Sequence, residues 1–139
     1  MLQASRVVQN TREIQFAVAA AELACAEAKV AHGAIDPDRL GVAGWSYGGY
    51  LTPAIIAMTG RFKAAQFGAG IPSLEAMYSR LSTVEWLVHE NYGPRPWEDA
   101  RMQIQSSPLY SAWKVKTPTL IEHGEDDPRC PVGGSILFY

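Results

Sequence analysis

The sequence predicts an α/β domain in which helices flank a parallel sheet. Three short apolar runs, at residues 39–44, 64–68 and 117–124, are each bounded by turn residues, as strands usually are. Segments with helical character separate these runs, and an alternation of strand and helix is typical of a parallel sheet. The chain has 139 residues, which is the size of a single domain.

A long helix is predicted first, over residues 10–32. Asn10 and Glu13 fit a capping box, alanine dominates the interior, and Gly33 supplies a stop signal. Because the apolar side chains of this segment are small, the helix suits close packing against a sheet.

The first strand and the helix after it follow a turn at residues 35–38. The run at 39–44 is interpreted as a strand buried on both faces, because it is short, apolar and bounded by turn residues. Helical character returns at residues 47–58, a segment that contains Pro53. Proline is tolerated there only in the first turn or two, where the lost N–H has little or no helical partner.

The remaining elements continue the same alternation. They are a strand at 64–68, short helices at 74–80 and 84–91, a loop at 93–96, a strand at 117–124, an acidic loop at 125–128 and a helix from Val132. Three parallel strands leave two open sheet edges, which natural folds normally cover. We therefore expect self-association through exposed sheet edges.

Composition and charge exclude several classes of protein. With 47% hydrophobic and 19% charged residues, the chain is neither disordered nor fibrous. A net charge of −2 without a basic block excludes a nucleic-acid-binding patch, and Cys25 and Cys130 lack the spacing of a zinc site. No apolar run reaches the roughly 20 residues of a membrane span, and charge interrupts the position of a secretory signal core. A soluble, cytoplasmic chain with no membrane partner is the expectation.

A G-x-S-x-G motif, Gly44-Trp45-Ser46-Tyr47-Gly48, lies between a predicted strand and a predicted helix. A serine at such a sharp turn is strained, and glycines at 44 and 48 remove β-carbons that would collide. The turn lifts the Ser46 hydroxyl clear of the sheet, where the Tyr47 backbone N–H can stabilise an oxyanion. The motif predicts a nucleophile, and a glycine-rich turn capped by serine is the alternative.

A serine nucleophile needs a general base, and the base needs an acid to orient it. Asp127, in the loop after the third predicted strand, is the candidate acid. Asp126 and Glu125 are rivals, and a solvated acidic loop is the alternative interpretation.

The general base is harder to find, because no histidine follows Asp127 as the order of an α/β-hydrolase requires. His32 is interpreted as a cation that caps a helix C-terminus, and His89 as a partly exposed helix residue. His123 is interpreted as a hydrogen-bonded residue at a strand end, with a role as base left as the alternative.

Five stretches resemble the C-terminal catalytic domain of the prolyl oligopeptidase family of serine peptidases, and within it the acylaminoacyl-peptidase and dipeptidyl-peptidase-like branches. They are DPDRLGVAGWSYGGYLT (36–52), RFKAAQFGAGI (61–71), ENYGPRPWED (90–99), SPLYSAWKVKTPTLIEHGEDDPRCP (107–131) and the trailing FY (138–139). The resemblance implies an α/β-hydrolase fold and hydrolysis of short peptides through an acyl-enzyme. It also implies that neither a metal nor an organic cofactor is needed.

The resemblance assigns roles to individual residues. Ser46 matches the family's nucleophile, and Tyr47 matches the residue whose backbone N–H lines the oxyanion hole. The family's H-G-x-x-D pattern places the acid at Asp127, in preference to Asp126, and makes His123 a strand-end residue and not the base.

The chain also departs from the family. The family's histidine lies beyond the acid, past Tyr139, and residues 1–34 match poorly. We therefore divide the chain into an N-terminal helix, 1–34, and a partial catalytic domain, 35–139, and expect little or no peptidase activity from this chain alone. An esterase or lipase of the same fold and a non-catalytic interaction module derived from a peptidase are the alternatives.

Overall fold

A three-stranded parallel sheet forms the centre of the fold, which confirms the predicted α/β class. The computed structural model describes Asp36, residues 38–79 and residues 85–139. The helix predicted over residues 10–32 lies outside these described residues. The strand order follows the sequence, so the second strand lies between the other two.

Strands and helices alternate as predicted. In chain order they are β1 (Gly41–Trp45), α1 (Tyr47–Met58), β2 (Ala64–Gly68), a first 3₁₀ helix (Glu75–Tyr78), α2 (Glu85–Tyr92), α3 (Pro96–Asp99), α4 (Arg101–Ser106), a second 3₁₀ helix (Pro108–Lys114), β3 (Thr119–Glu122) and α5 (Gly133–Phe138). The bounds of α1 and β2 are the predicted ones, whereas β1 is shifted and β3 is shorter than predicted. Sequence reasoning missed α3, α4 and the second 3₁₀ helix. Pro96 and Pro108 begin two of these three, because a helix needs no N–H at its first position.

Strand β1 is not buried on both faces, so this prediction was wrong. Gly41, Ala43 and Trp45 are exposed, and the residues between them are half-buried. Helix α1 packs against one face of β1 and β2 pairs with one edge, and within the described residues nothing covers the other face. Burial on both faces requires a layer on each side of the sheet, which an apolar run cannot specify by itself.

The core lies on the α1 side of the sheet. Phe67, in the central strand, is fully buried and meets the ring of Phe138 edge-on, with 5.6 Å between the ring centroids. A cluster of buried side chains joins α1 to the segments after β2, and it consists of Tyr50, Ala54, Leu74, Met77, Val88 and Tyr92. This cluster fixes α2 against α1, and therefore near the carboxyl end of β1.

Pro53 lies within the second turn of α1, as expected. The expectation that its missing N–H would have little or no helical partner was wrong. Pro53 is the seventh residue of the helix, so an N–H at this position would have had a helical partner, the Gly49 carbonyl. The ring is fully buried, and the helix continues to Met58. Burial of the ring offsets part of the cost of the missing hydrogen bond.

Candidate active site

Ser46 occupies a strained turn between β1 and α1. Its backbone has φ 57° and ψ −113°, a conformation that residues with a β-carbon rarely adopt. Its N–H donates to the Gly68 carbonyl at 2.9 Å, and its carbonyl accepts from the Tyr50 N–H at 3.1 Å. These two bonds hold the turn from both sides, and the Ser46 side chain is exposed.

Gly44 is required by this turn, whereas Gly48 is not. A β-carbon on Gly44 would overlap the Gly48 carbonyl and would lie 2.8 Å from the Thr52 hydroxyl. A β-carbon on Gly48 would have no described atom within 4 Å, so the predicted collision at Gly48 was wrong. The chain comes close instead at Gly49, where a β-carbon would lie 2.6 Å from the Gly68 carbonyl. The neighbouring glycines in the sequence were the available signal for this contact.

Tyr47 is the first residue of α1, so its backbone N–H has no partner one turn earlier in the helix. An N–H at this position, at the positive end of a helix dipole, can donate to an anion. The side chain is about half exposed, and its hydroxyl lies 3.4 Å from the Tyr92 hydroxyl. The ring centroid is 5.6 Å from that of Tyr50.

The parallel sheet brings the loop of Asp127 to the same edge as Ser46. Trp45, Gly68 and Glu122 are aligned across the three strands, and each is the last residue of its strand. Because parallel strands end at one edge, the turn after β1 and the loop after β3 both leave the sheet there, with β2 between them.

The carboxylate of Asp127 is held by two backbone amides. Its Oδ1 accepts from the Arg129 N–H at 2.8 Å and from the Cys130 N–H at 2.9 Å. The Cys130 amide is the main reason that the pKa of Asp127 lies below its usual value; burial opposes this shift, and the Arg129 amide and the charges of His123 and Arg129 add to it. Asp127 is therefore a carboxylate at neutral pH, whereas the rival acids, Asp126 and Glu125, are exposed in the turn before it.

Cys130 connects Asp127 with Ser46. Burial raises the pKa of the Cys130 thiol, the Asp127 charge raises it further, and a hydrogen bond with the Ser46 hydroxyl lowers it. The thiol is therefore protonated at neutral pH, and it interacts with both candidate catalytic side chains. The sequence analysis gave Cys130 no role in the site, and no local pattern signals its interaction with a residue so far away in the chain.

The histidines that the structure describes, His89 and His123, make polar contacts with groups other than the Ser46 hydroxyl. His123 Nε2 donates to the Cys130 carbonyl at 2.6 Å, so in the neutral ring Nδ1 accepts from the Ser135 hydroxyl at 2.8 Å. His89 Nδ1 lies 3.2 Å from the Gly93 carbonyl. His32 lies outside the described residues. His123 thus has the hydrogen-bonded strand-end position that the sequence suggested, with no ring nitrogen left for Ser46.

The described residues hold no group of three histidine, cysteine or acidic side chains that could bind a metal ion. In the same part of the chain, no helix is long and apolar enough to cross a membrane.

Comparison with known proteins relates the chain to one family. Residues 18–139 match the model of the Prolyl oligopeptidase family. The uncharacterized peptidase YuxL of Bacillus subtilis is 41% identical over 104 residues, which are 70% of this chain and 15% of that protein. An acylaminoacyl peptidase of Pyrococcus horikoshii has a similar structure, with a TM-score of 0.74 and 33% identity over 81% of this chain and 18% of that one.

A second similar structure is an acylaminoacyl peptidase in complex with Z-Gly-Gly-Phe-chloromethyl ketone. Its TM-score is 0.74 and it is 34% identical, over 81% of this chain and 18% of that chain. The chain therefore spans less than a fifth of the length of each of these relatives. The family match, the shared fold and the strained serine turn agree with one another, and the chain belongs to the prolyl oligopeptidase family.

Proposed function

We propose that this chain carries part of the catalytic site of a serine peptidase that cleaves short peptides. Ser46 is the nucleophile, the Tyr47 backbone N–H is an oxyanion donor, and Asp127 is the acid that orients a general base. The observation that supports this most strongly is the strained turn of Ser46, at the same sheet edge as the amide-bound carboxylate of Asp127.

In this mechanism the Ser46 oxygen attacks the carbonyl carbon of the peptide bond while its proton passes to the base. The oxyanion that forms accepts a hydrogen bond from the Tyr47 N–H. The base then protonates the leaving amine, the C–N bond breaks, and water hydrolyses the acyl-enzyme. Asp127 stays ionised throughout and stabilises the protonated base, a role that suits its lowered pKa.

We expect slow turnover by this chain alone, because no described side chain is placed to accept the Ser46 proton. Both ring nitrogens of His123 are occupied, and His89 lies against the Gly93 carbonyl. The Cys130 thiol interacts with Ser46 but keeps its own proton at neutral pH, so it is a poor base.

Peptides are the proposed substrates because a similar structure holds a peptide derivative. That acylaminoacyl peptidase is in complex with Z-Gly-Gly-Phe-chloromethyl ketone, and it is 34% identical to this chain. Transfer of this substrate class to the present chain is part of the proposal.

Covalent labelling tests the role of Ser46. The chain is incubated with a fluorophosphonate probe, and the labelled residue is identified by mass spectrometry. We expect slow labelling that is confined to Ser46, absent in Ser46→Ala and unchanged in Ser111→Ala, a half-buried serine beside Lys114. Absence of label at Ser46, or equal label on other serines, would overturn the assignment of the nucleophile.

Fluorogenic aminoacyl and dipeptidyl substrates test the reaction. Weak turnover that Ser46→Ala abolishes and His123→Ala leaves unchanged is the expected result. Cleavage of a p-nitrophenyl ester without any peptide cleavage would instead support the esterase alternative.

A further inference from the structure

Tyr92 lies behind the candidate oxyanion donor. It is the last residue of α2, it is 8% exposed, and its hydroxyl lies 3.4 Å from that of Tyr47. Its ring meets the ring of Tyr50 nearly edge-on, with 5.7 Å between centroids. Tyr47, Tyr50 and Tyr92 thus form a tyrosine cluster that joins α2 to the first turn of α1.

The hydroxyl groups of the tyrosine cluster have different hydrogen-bond partners. The Tyr50 hydroxyl donates to the Ser106 carbonyl at 2.9 Å, so its single proton is already used. Burial raises the pKa of Tyr92, with further contributions from Tyr50 and Tyr47, so its hydroxyl stays protonated. A buried hydroxyl needs a hydrogen-bond partner, and the Tyr47 hydroxyl lies 3.4 Å from that of Tyr92.

Tyr47 depends on this cluster for its orientation. Its side chain is about half exposed, and its ring contacts are with Tyr50, while its hydroxyl contacts Tyr92. Tyr47 is the first residue of α1, and it directly follows Ser46, whose backbone is strained. The rotamer of a side chain and the φ and ψ angles of its backbone depend on each other. A fixed Tyr47 side chain therefore restricts the peptide group that joins Tyr47 to the strained Ser46.

We propose that Tyr92 is a positioning residue, whose hydroxyl holds the Tyr47 side chain and thereby keeps the Tyr47 backbone N–H aimed at the oxyanion. This inference rests on the proposed function, in which that N–H stabilises the tetrahedral intermediate. Because an oxyanion donor acts on the transition state, Tyr92 affects the limiting rate of reaction at Ser46 and leaves substrate binding unchanged.

Packing alone would also explain a buried tyrosine, and Tyr92→Phe separates the two roles. Phenylalanine keeps the ring in the core cluster and removes only the hydroxyl. Tyr110→Phe is the matched control, because it removes a phenolic hydrogen bond to Glu75, 3.0 Å long, that is not part of the tyrosine cluster.

The first measurement is independent of any reaction. In the ¹⁵N-labelled chain, the order parameter of the Tyr47 amide should be about 0.85, as for rigid backbone, and should fall in Tyr92→Phe but not in Tyr110→Phe. Should Tyr92→Phe fail to fold, Tyr47→Phe removes the same contact from its half-exposed side, and the same fall is expected.

The second measurement is the rate of fluorophosphonate labelling at Ser46 as a function of probe concentration. We expect the limiting rate to fall about fivefold in Tyr92→Phe, with an unchanged half-saturating concentration, because one neutral hydrogen bond is lost. An order parameter and a limiting rate equal to those of the unmodified chain, or equal losses in Tyr110→Phe, would overturn the inference. If the unmodified chain is not labelled, the proposed function fails, and the order parameter alone decides whether Tyr92 holds Tyr47.

Discussion

The backbone amide of Cys130 donates a hydrogen bond to the Asp127 carboxylate at 2.9 Å. The thiol of the same residue interacts with the Ser46 hydroxyl. Cys130 therefore connects the loop after β3 with the turn after β1 at the carboxyl edge of the sheet. Its reactivity reports on both candidate catalytic residues.

Neutralising Asp127 should make Cys130 more reactive. The Asp127 charge is the second cause of the raised thiol pKa, after burial, so Asp127→Asn lowers that pKa and increases the thiolate fraction. We expect severalfold faster alkylation of Cys130 by iodoacetamide near pH 8. Mass spectrometry of the labelled peptides distinguishes Cys130 from Cys25. Asp126→Asn, at an exposed neighbour, is the control, and a rate in Asp127→Asn no higher than in this control contradicts the prediction.

The contribution of Asp127 to stability should disappear in acid. Its pKa is lower in the folded chain than in an unfolded one, so ionised Asp127 stabilises the fold above the unfolded value, about pH 4, and this contribution is lost as the pH falls further. We expect the difference in unfolding free energy between the unmodified chain and Asp127→Asn to be constant from about pH 7 to pH 5 and to shrink below about pH 4. Urea denaturation at a series of pH values measures this difference, and a difference that grows in acid contradicts it.

Replacing Ser46 by glycine should stabilise the fold relative to alanine. Both substitutions remove the hydroxyl, but only glycine adopts φ 57° without steric cost. We expect Ser46→Gly to be more stable than Ser46→Ala by about 1 kcal/mol. Glycine avoids the strain of the turn, and the extra conformational entropy that glycine loses on folding offsets part of this gain. Thermal unfolding compares the two variants, and a less stable glycine variant would show that the turn is not strained.

The glycines of the motif should respond differently to alanine. Gly44→Ala places a β-carbon against the Gly48 carbonyl, a backbone atom that cannot turn aside, and we expect a loss of about 3 kcal/mol. Gly48→Ala meets no described atom and lies in α1, where alanine is the better helix former, so its effect should lie within about 1 kcal/mol of zero. Urea denaturation measures the unfolding free energy of both variants. Equal losses would falsify the conclusion that the turn requires glycine at position 44 and not at position 48.

Ser107 should contribute more to stability than a serine nearby. Ser107 is buried. Its hydroxyl accepts a hydrogen bond from the Leu74 N–H at 2.9 Å and donates one to the Glu75 carboxylate at 3.1 Å. Ser107→Ala leaves the Leu74 N–H without this partner, which should cost about 2 kcal/mol. Ser111→Ala, at a half-buried position, is the control in thermal unfolding, and similar losses in the two variants contradict the prediction.

The sequence alone predicted the order of the described strands and the main helix. The bounds of α1, Tyr47–Met58, and of β2, Ala64–Gly68, were predicted correctly, because glycine and apolar patterning act over a few residues. The turn at Ser46 was also predictable, since it depends on the steric needs of neighbours within the motif. Family membership follows from the same local strings.

Only the tertiary structure decided which groups meet across the sheet. The exposed face of β1, the two bonds of His123, the contact of Cys130 with Ser46 and the hold of Tyr92 on Tyr47 each depend on segments distant in the chain. Local patterns record backbone preferences and the periodicity of burial, whereas these contacts arise from how separate elements pack against one another. That packing depends on the whole set of layers, which no single segment contains.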